Sequence, residues 1–167
     1  MINKINKLPQ SEFIKVFANI FENASWIAEE LYKQKPFKDF DELSSKIMNI
    51  FEISSKEKKL KILNDHPDLG NKAKISSLTP DSLKEQKNAG LDQCTSEEFN
   101  EFKKLNDDYR KFGFPFILAV KGKSKIEILN NFRRRVNSEP QIEFEEALKQ
   151  VKKIANLRLK DLNNKNI

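Results

Sequence analysis

The stretch TSEEFNEFKKLNDDYRKFG, residues 95–113, decides the fold class. Thr95 followed three residues later by Glu98 is a capping box: hydroxyl and carboxylate each accept the other residue's backbone N–H at a helix start. Phe99, Phe102, Leu105, Tyr109 and Phe112 then recur at helical spacing, and Gly113 is the residue type that closes a helix in the left-handed region. Followed outward in both directions, the same signals repeat.

Toward the N-terminus, Phe13, Val16, Phe17, Ile20 and Phe21 predict a helix after Ser11 with one broad apolar face. A shorter helix runs from Trp26 to Lys33, and Pro36 stops it. Phe40, Leu43, Ile47, Ile50 and Phe51 mark a third. Ser54 with Glu57 predicts a capping box for a fourth, which carries Leu60 and Leu63 and ends at His66-Pro67. Thr79-Pro80 places an N-cap before a proline at the first helical position, opening a short helix that ends near Gly90. Toward the C-terminus, Ser124 with Glu127 opens another helix, and Pro140 precedes a last one from about Ile142 to Leu162. No alternating strand pattern competes, and no repeat or low-complexity linker divides the chain. The expectation is an all-α fold: one domain over residues 1–167, a bundle of about eight helices with its core in about 11–162.

Composition limits what such a bundle does. The 167 residues, 38% hydrophobic with 13 Phe, suffice for one sizeable core. No apolar run reaches the ~18 residues of a membrane span, so no membrane partner is expected. The polar N-terminus lacks the apolar segment of a secretory signal and NNKNI is no recognised address, which makes the cytoplasm the expected location. The net charge of +6 raises nucleic acid as a partner, but lysines alternate with Asp and Glu, and only Arg133, Arg134 and Arg135 form a basic run. Nucleic-acid binding is therefore not expected. A single cysteine and a single histidine offer no zinc set and no disulfide, and Cys94, in a polar turn before a helix cap, reads as a surface or structural thiol.

Two segments do not fit amphipathic helix. The loop from His66 to Leu78 is long for a compact bundle. FGFPFILAV, residues 112–120, is too short to span a membrane and too apolar for a surface loop, so it is expected to cross the interior in extended form, with backbone N–H groups that need partners such as a ligand. Pro67 pushes His66 out of the α region, ending the helix and fixing the imidazole's direction. From position alone His66 is either a helix-terminal cap for the last carbonyls or a proton-transfer group, since an imidazole ordinarily titrates near 6.5.

Arg158 falls near the centre of the apolar stripe formed by Phe144, Leu148, Val151, Ile154, Ala155 and Leu162, opposite Lys149, Lys153 and Lys160. A guanidinium there needs an anionic partner or a cleft, so a structural ion pair, a snorkelling side chain and anion binding all remain open. Ser82 and Glu85, three apart in the first turns of a short helix, face the same way; they are either capping groups or a pair that orients a ligand.

In order and spacing, SWIAEE, KPF, HPDLG, LTPDSLKEQKNAGLD, LNDDYRKFGFPFILAV and IANLRLKDL resemble the 2-oxo-4-hydroxy-4-carboxy-5-ureidoimidazoline (OHCU) decarboxylase family, from about Ser11 to Leu162. The resemblance implies an all-α enzyme, a carboxy-lyase of urate (purine) degradation that converts OHCU to (S)-allantoin and CO2 with no cofactor and no metal. It implies catalytic roles for His66 and, as its acidic partner, Glu85. It further implies substrate binding by Pro67, by Ser82, Leu83, Lys84, Glu85 and Gln86, by Phe116, Ile117, Leu118, Ala119 and Val120 partly through backbone, and by Arg158. Family members often form homodimers. The chain has Gly70-Asn71-Lys72 where the family often has Ala-Gly-Lys, and Ser25 where a Pro commonly precedes the Trp. The alternative reading is a non-enzymatic helical interaction module or a nucleic-acid binder, which would leave the His-Pro break and the arginine in the apolar stripe without a purpose.

Overall fold

A computed structural model of the chain describes residues 2–71 and 77–165. Among these the secondary structure is helical, with no strand: α1 (Ile2–Lys7), α2 (Gln10–Phe17), α3 (Ser25–Tyr32), α4 (Phe40–Glu52), α5 (Lys56–Asp65), α6 (Pro80–Asn88), α7 (Ser96–Tyr109), α8 (Lys125–Arg135) and α9 (Pro140–Asn164), with a 3-10 turn at Arg110–Phe112. Among the described residues nine α-helices stand where about eight were expected. The addition is α1, six residues long and too polar to show a period, but anchored by the fully buried Ile5.

The helix ends follow local chemistry. The capping boxes at Thr95/Glu98 and Ser124/Glu127 are both formed, and Thr79 accepts the Ser82 N–H at the start of α6. Two expectations shift. Ser55, not Ser54, accepts the Lys58 N–H at 3.2 Å to cap α5, because the Ser54 hydroxyl is turned back to the Phe51 carbonyl at 2.7 Å. The helix after Ser11 ends at Phe17 rather than running on through Phe21. The carbonyl of Asn19 is taken by the Arg158 guanidinium at 2.8 Å, while Ile20 and Ala24 bond three residues back instead of four. Ile20 and Phe21 remain buried outside the helix.

Contacts divide the chain into two units, Met1–Ile62 with Lys152–Ile167, and Leu63–Val151. In the first, the α2–α4 region encloses an aromatic core: Phe13 lies 4.6 Å from Phe17 and 5.4 Å from Tyr32 between ring centroids, and Phe21 stacks on Phe51 at 4.7 Å. Each such ring taken from water contributes about 1.5–3 kcal/mol. Asn6 fixes α1 to the chain at Phe37 by a reciprocal pair, its Nδ2 donating to the Phe37 carbonyl at 2.7 Å and its Oδ1 accepting the Phe37 N–H at 2.9 Å.

The second unit is built around FGFPFILAV. Residues 115–120 are non-helical as expected, and Phe116, Ile117, Leu118, Ala119 and Val120 are all buried. Phe116 stacks on Phe132 of α8 at 3.8 Å, and Tyr109 meets Phe112, Phe114, Phe116 and Phe132 edge-on. Cys94 is half-buried; its Sγ points to the Leu91 carbonyl at 3.5 Å, and burial pushes its thiol up from the ordinary range, in keeping with a structural role.

Candidate active site

α5 ends at Asp65, and the His66 N–H closes the helix on the Leu63 carbonyl at 3.2 Å. The imidazole that follows is buried and lines a cavity of about 430 Å³, with Pro67, Asp68, Arg110, Phe114 and Pro115 among its walls. That volume suits a small molecule. Pro67 also lines the cavity, as its position beside His66 implies.

The loop after Pro67 is held by two amides from other helices. Gln86 on α6 donates Nε2 to the Asp68 carbonyl at 3.3 Å and accepts the Gly70 N–H on Oε1 at 3.2 Å. Asn106 on α7 donates Nδ2 to the Leu69 carbonyl at 3.0 Å. Gly70 has φ +65°, and a Cβ there would stand 2.6 Å from Cγ of Phe102. The chain's Gly70 therefore fits a backbone conformation and a ring approach that a side chain would obstruct. Lys72 lies outside the described residues.

α6 presents Ser82 and Gln86 on its buried side, with Leu83 and Glu85 half-buried and Lys84 exposed. The amide of Gln86 is thus engaged on the backbone of the His66 loop. Ser82, Glu85 and residues 116–120 are not among the residues lining the His66 cavity, although the preceding Phe114 and Pro115 are.

The extended segment is fixed by side chains the sequence reading missed. Arg135 of α8 donates Nη1 to the Ile117 carbonyl at 2.6 Å, stacks over the Phe116 ring at 4.5 Å and is ion-paired with Glu143 of α9, to which the Tyr109 hydroxyl also donates. All three are buried, and burial first, then the bond to Glu143, drives the Tyr109 phenol well above its ordinary range. Gln150 accepts the Ala119 N–H at 3.1 Å. The N–H groups of Phe116, Ile117 and Leu118 have no partner among the described residues, so this buried backbone has donors to offer. The signal for Arg135 was in the sequence: it closes the buried row Ile128, Phe132, Arg135 at helical spacing, the same argument that singled out Arg158. Reading it as part of a basic run concealed that.

In the first unit, Arg158 is buried and bonds through Nη1 to Glu22 Oε2 at 2.9 Å and to the Asn19 carbonyl. Its structural ion pair is real. Among the described residues no group of three or more His, Cys, Asp or Glu converges as a metal site.

A family model described as OHCU decarboxylase matches residues 6–160. The chain belongs to the OHCU decarboxylase family. It is 38% identical over 159 residues to a 2-oxo-4-hydroxy-4-carboxy-5-ureidoimidazoline decarboxylase of Haloferax volcanii, covering 95% of this chain and 93% of the relative. A uric acid degradation bifunctional protein of Bacillus sp. (strain TB-90) is 40% identical over 162 residues, 96% of this chain; the chain spans only 32% of that relative's length. A crystal structure of OHCU decarboxylase in the presence of (S)-allantoin superposes with a TM-score of 0.72 at 26% identity, over 88% of this chain and 96% of that one. His66 lies at the edge of a loop that two amides hold in place.

Proposed function

We propose that this chain decarboxylates OHCU to (S)-allantoin. The observation that carries the reading is the chain's only histidine, buried yet lining a cavity, in a member of the OHCU decarboxylase family. Loss of CO2 breaks the bond from the ring carbon to the carboxylate and leaves an electron pair on that carbon. The adjacent C=N of the ring accepts the pair, and a proton delivered to one face sets the S configuration. The protein's task is to position the substrate, exclude water from one face and handle that proton.

His66, oriented with Glu85 as its acidic partner, takes the proton-transfer role. Pro67 shapes the pocket. Ser82 on α6 and the backbone of Phe116, Ile117, Leu118, Ala119 and Val120 hold the ureido and ring amide groups, and Leu83, Lys84 and Gln86 belong to the same substrate-binding stretch as Ser82 and Glu85. The free N–H groups of residues 116–118 support the backbone part of that assignment. Arg158 is assigned to an anionic or carbonyl oxygen of the substrate, a role that would share its guanidinium with Glu22. The reading also takes the chain as one domain working in the cytoplasm, and carries over from the family the absence of a cofactor and the homodimer that its members often form.

The test is to generate OHCU from urate, add the protein and follow allantoin ellipticity. The expected result is a faster approach to the S enantiomer than spontaneous decay gives. An unchanged rate with racemic product would contradict the reading.

A further inference from the structure

From the geometry of the His66 cavity we infer that Arg110 is the residue that distinguishes the carboxylated substrate from the decarboxylated product. The inference rests on the proposed function and adds a specificity residue to it. Arg110 follows α7 directly and lines the cavity together with His66 and Pro67. It also lines a neighbouring cavity of about 530 Å³ that shares Asp68 with the first, so the residue stands on a wall common to both.

Three features fit charge recognition rather than plain structure. The guanidinium is held in place: Nη2 donates to Asp68 Oδ2 at 3.2 Å, and Nε lies 3.7 Å from Asp107 Oδ1. Asp68 itself belongs to the His66 loop and is buried, so the arginine is tied to the same backbone that aims the imidazole. Yet the Arg110 side chain is 58% exposed, and its Nη1 has no partner among the described residues. A fixed, accessible donor at the edge of a cavity attracts an anion without enclosing it.

The reaction removes the feature being recognised. OHCU enters as a carboxylate, and allantoin leaves after that group has become neutral CO2. A cation that closed on the departing carboxylate itself, rather than on another oxygen of the substrate, would stabilise the ground state and oppose departure of CO2, since only interactions stronger in the transition state speed the step. A half-exposed arginine, partly balanced by Asp68 and Asp107, avoids that cost. It favours entry of the anion and does not retain the product.

The experiment compares the parent with Arg110→Gln and Arg110→Lys, measuring kcat and KM for OHCU at several ionic strengths and the inhibition constant of (S)-allantoin. In Arg110→Gln, KM is expected to rise about three- to tenfold, as befits one partly exposed charge. The inhibition constant of allantoin and kcat should move by less than about twofold, and the salt dependence of kcat/KM should flatten. Arg110→Lys should restore most of the KM. An unchanged KM, or a KM and an allantoin constant that rise together as a distorted pocket would give, overturns the inference while the functional reading stands. A parent protein that does not accelerate the reaction overturns both.

Discussion

Individual residues show how burial turns a sequence signal into a commitment. Arg158 stood out because a guanidinium in an apolar row needs a partner, and Glu22, almost fully buried, is one. Arg158→Ala removes the cation from that carboxylate and is expected to cost about 3–5 kcal/mol in denaturant unfolding. Arg158→Lys keeps the charge but not the planar fork, so it should retain more stability than the alanine variant while losing activity if the guanidinium binds substrate. Parental activity in a folded Arg158→Lys protein would leave Arg158 a purely structural role. Gly70 gives a second case. With φ +65° and the Phe102 ring 2.6 Å from where a Cβ would lie, Gly70→Ala should lower stability by more than about 1 kcal/mol and loosen the loop that carries His66. Equal unfolding midpoints would mean that the loop relaxes without strain. Such residues differ in legibility. The His66-Pro67 break was visible because proline acts on its neighbour locally. The hold that Gln86 and Asn106 keep on the next three residues was not, because those bonds span 16 to 37 positions.

At the level of elements, helix starts were the most readable feature, since a capping box is local chemistry between residues three apart. α7 and α8 begin where Thr95 and Ser124 predict. Helix ends and the charged members of buried rows were harder, because they depend on partners from elsewhere in the chain. α9 illustrates this: its buried row runs through Glu143, Ala147, Val151, Ile154 and Arg158, while Phe144 and Leu148 are only half-buried, so the stripe is turned slightly from the one read off the sequence. Glu143 went unnoticed in that row, yet with Arg135 and Tyr109 it anchors the buried segment at Ile117. A pH prediction follows from Tyr109. Its phenol is driven upward, so the folded state holds the proton more tightly than the unfolded chain, whose phenol titrates near 10. The resulting stability is complete below about pH 10 and is lost as pH rises beyond it. Urea midpoints measured between pH 9 and 11 should fall more steeply in the parent than in Tyr109→Phe. Parallel slopes would show that the phenol is not coupled to folding.

For the whole molecule, the sequence reading and the comparisons meet in one family, matched over residues 6–160. Residues 116–120 of the FGFPFILAV segment, read as an interior crossing because it was too apolar for a loop, are buried, while Phe112 ends the preceding 3-10 turn and Gly113 is exposed; α6 and α7 both send an amide to the His66 loop. Some of the basic side chains pair with carboxylates from other helices, such as Lys125 with Glu98 and Arg133 with Glu101. The proposed chemistry rests on one imidazole, that of His66. The most direct measurement is the initial rate of (S)-allantoin formation by the parent and by His66→Asn, with both shown to be folded by far-UV circular dichroism and unfolding midpoint. A loss of about 10²–10⁴ in rate, with the fold intact, is the predicted result. Formation of (S)-allantoin by His66→Asn at the parental rate would contradict it.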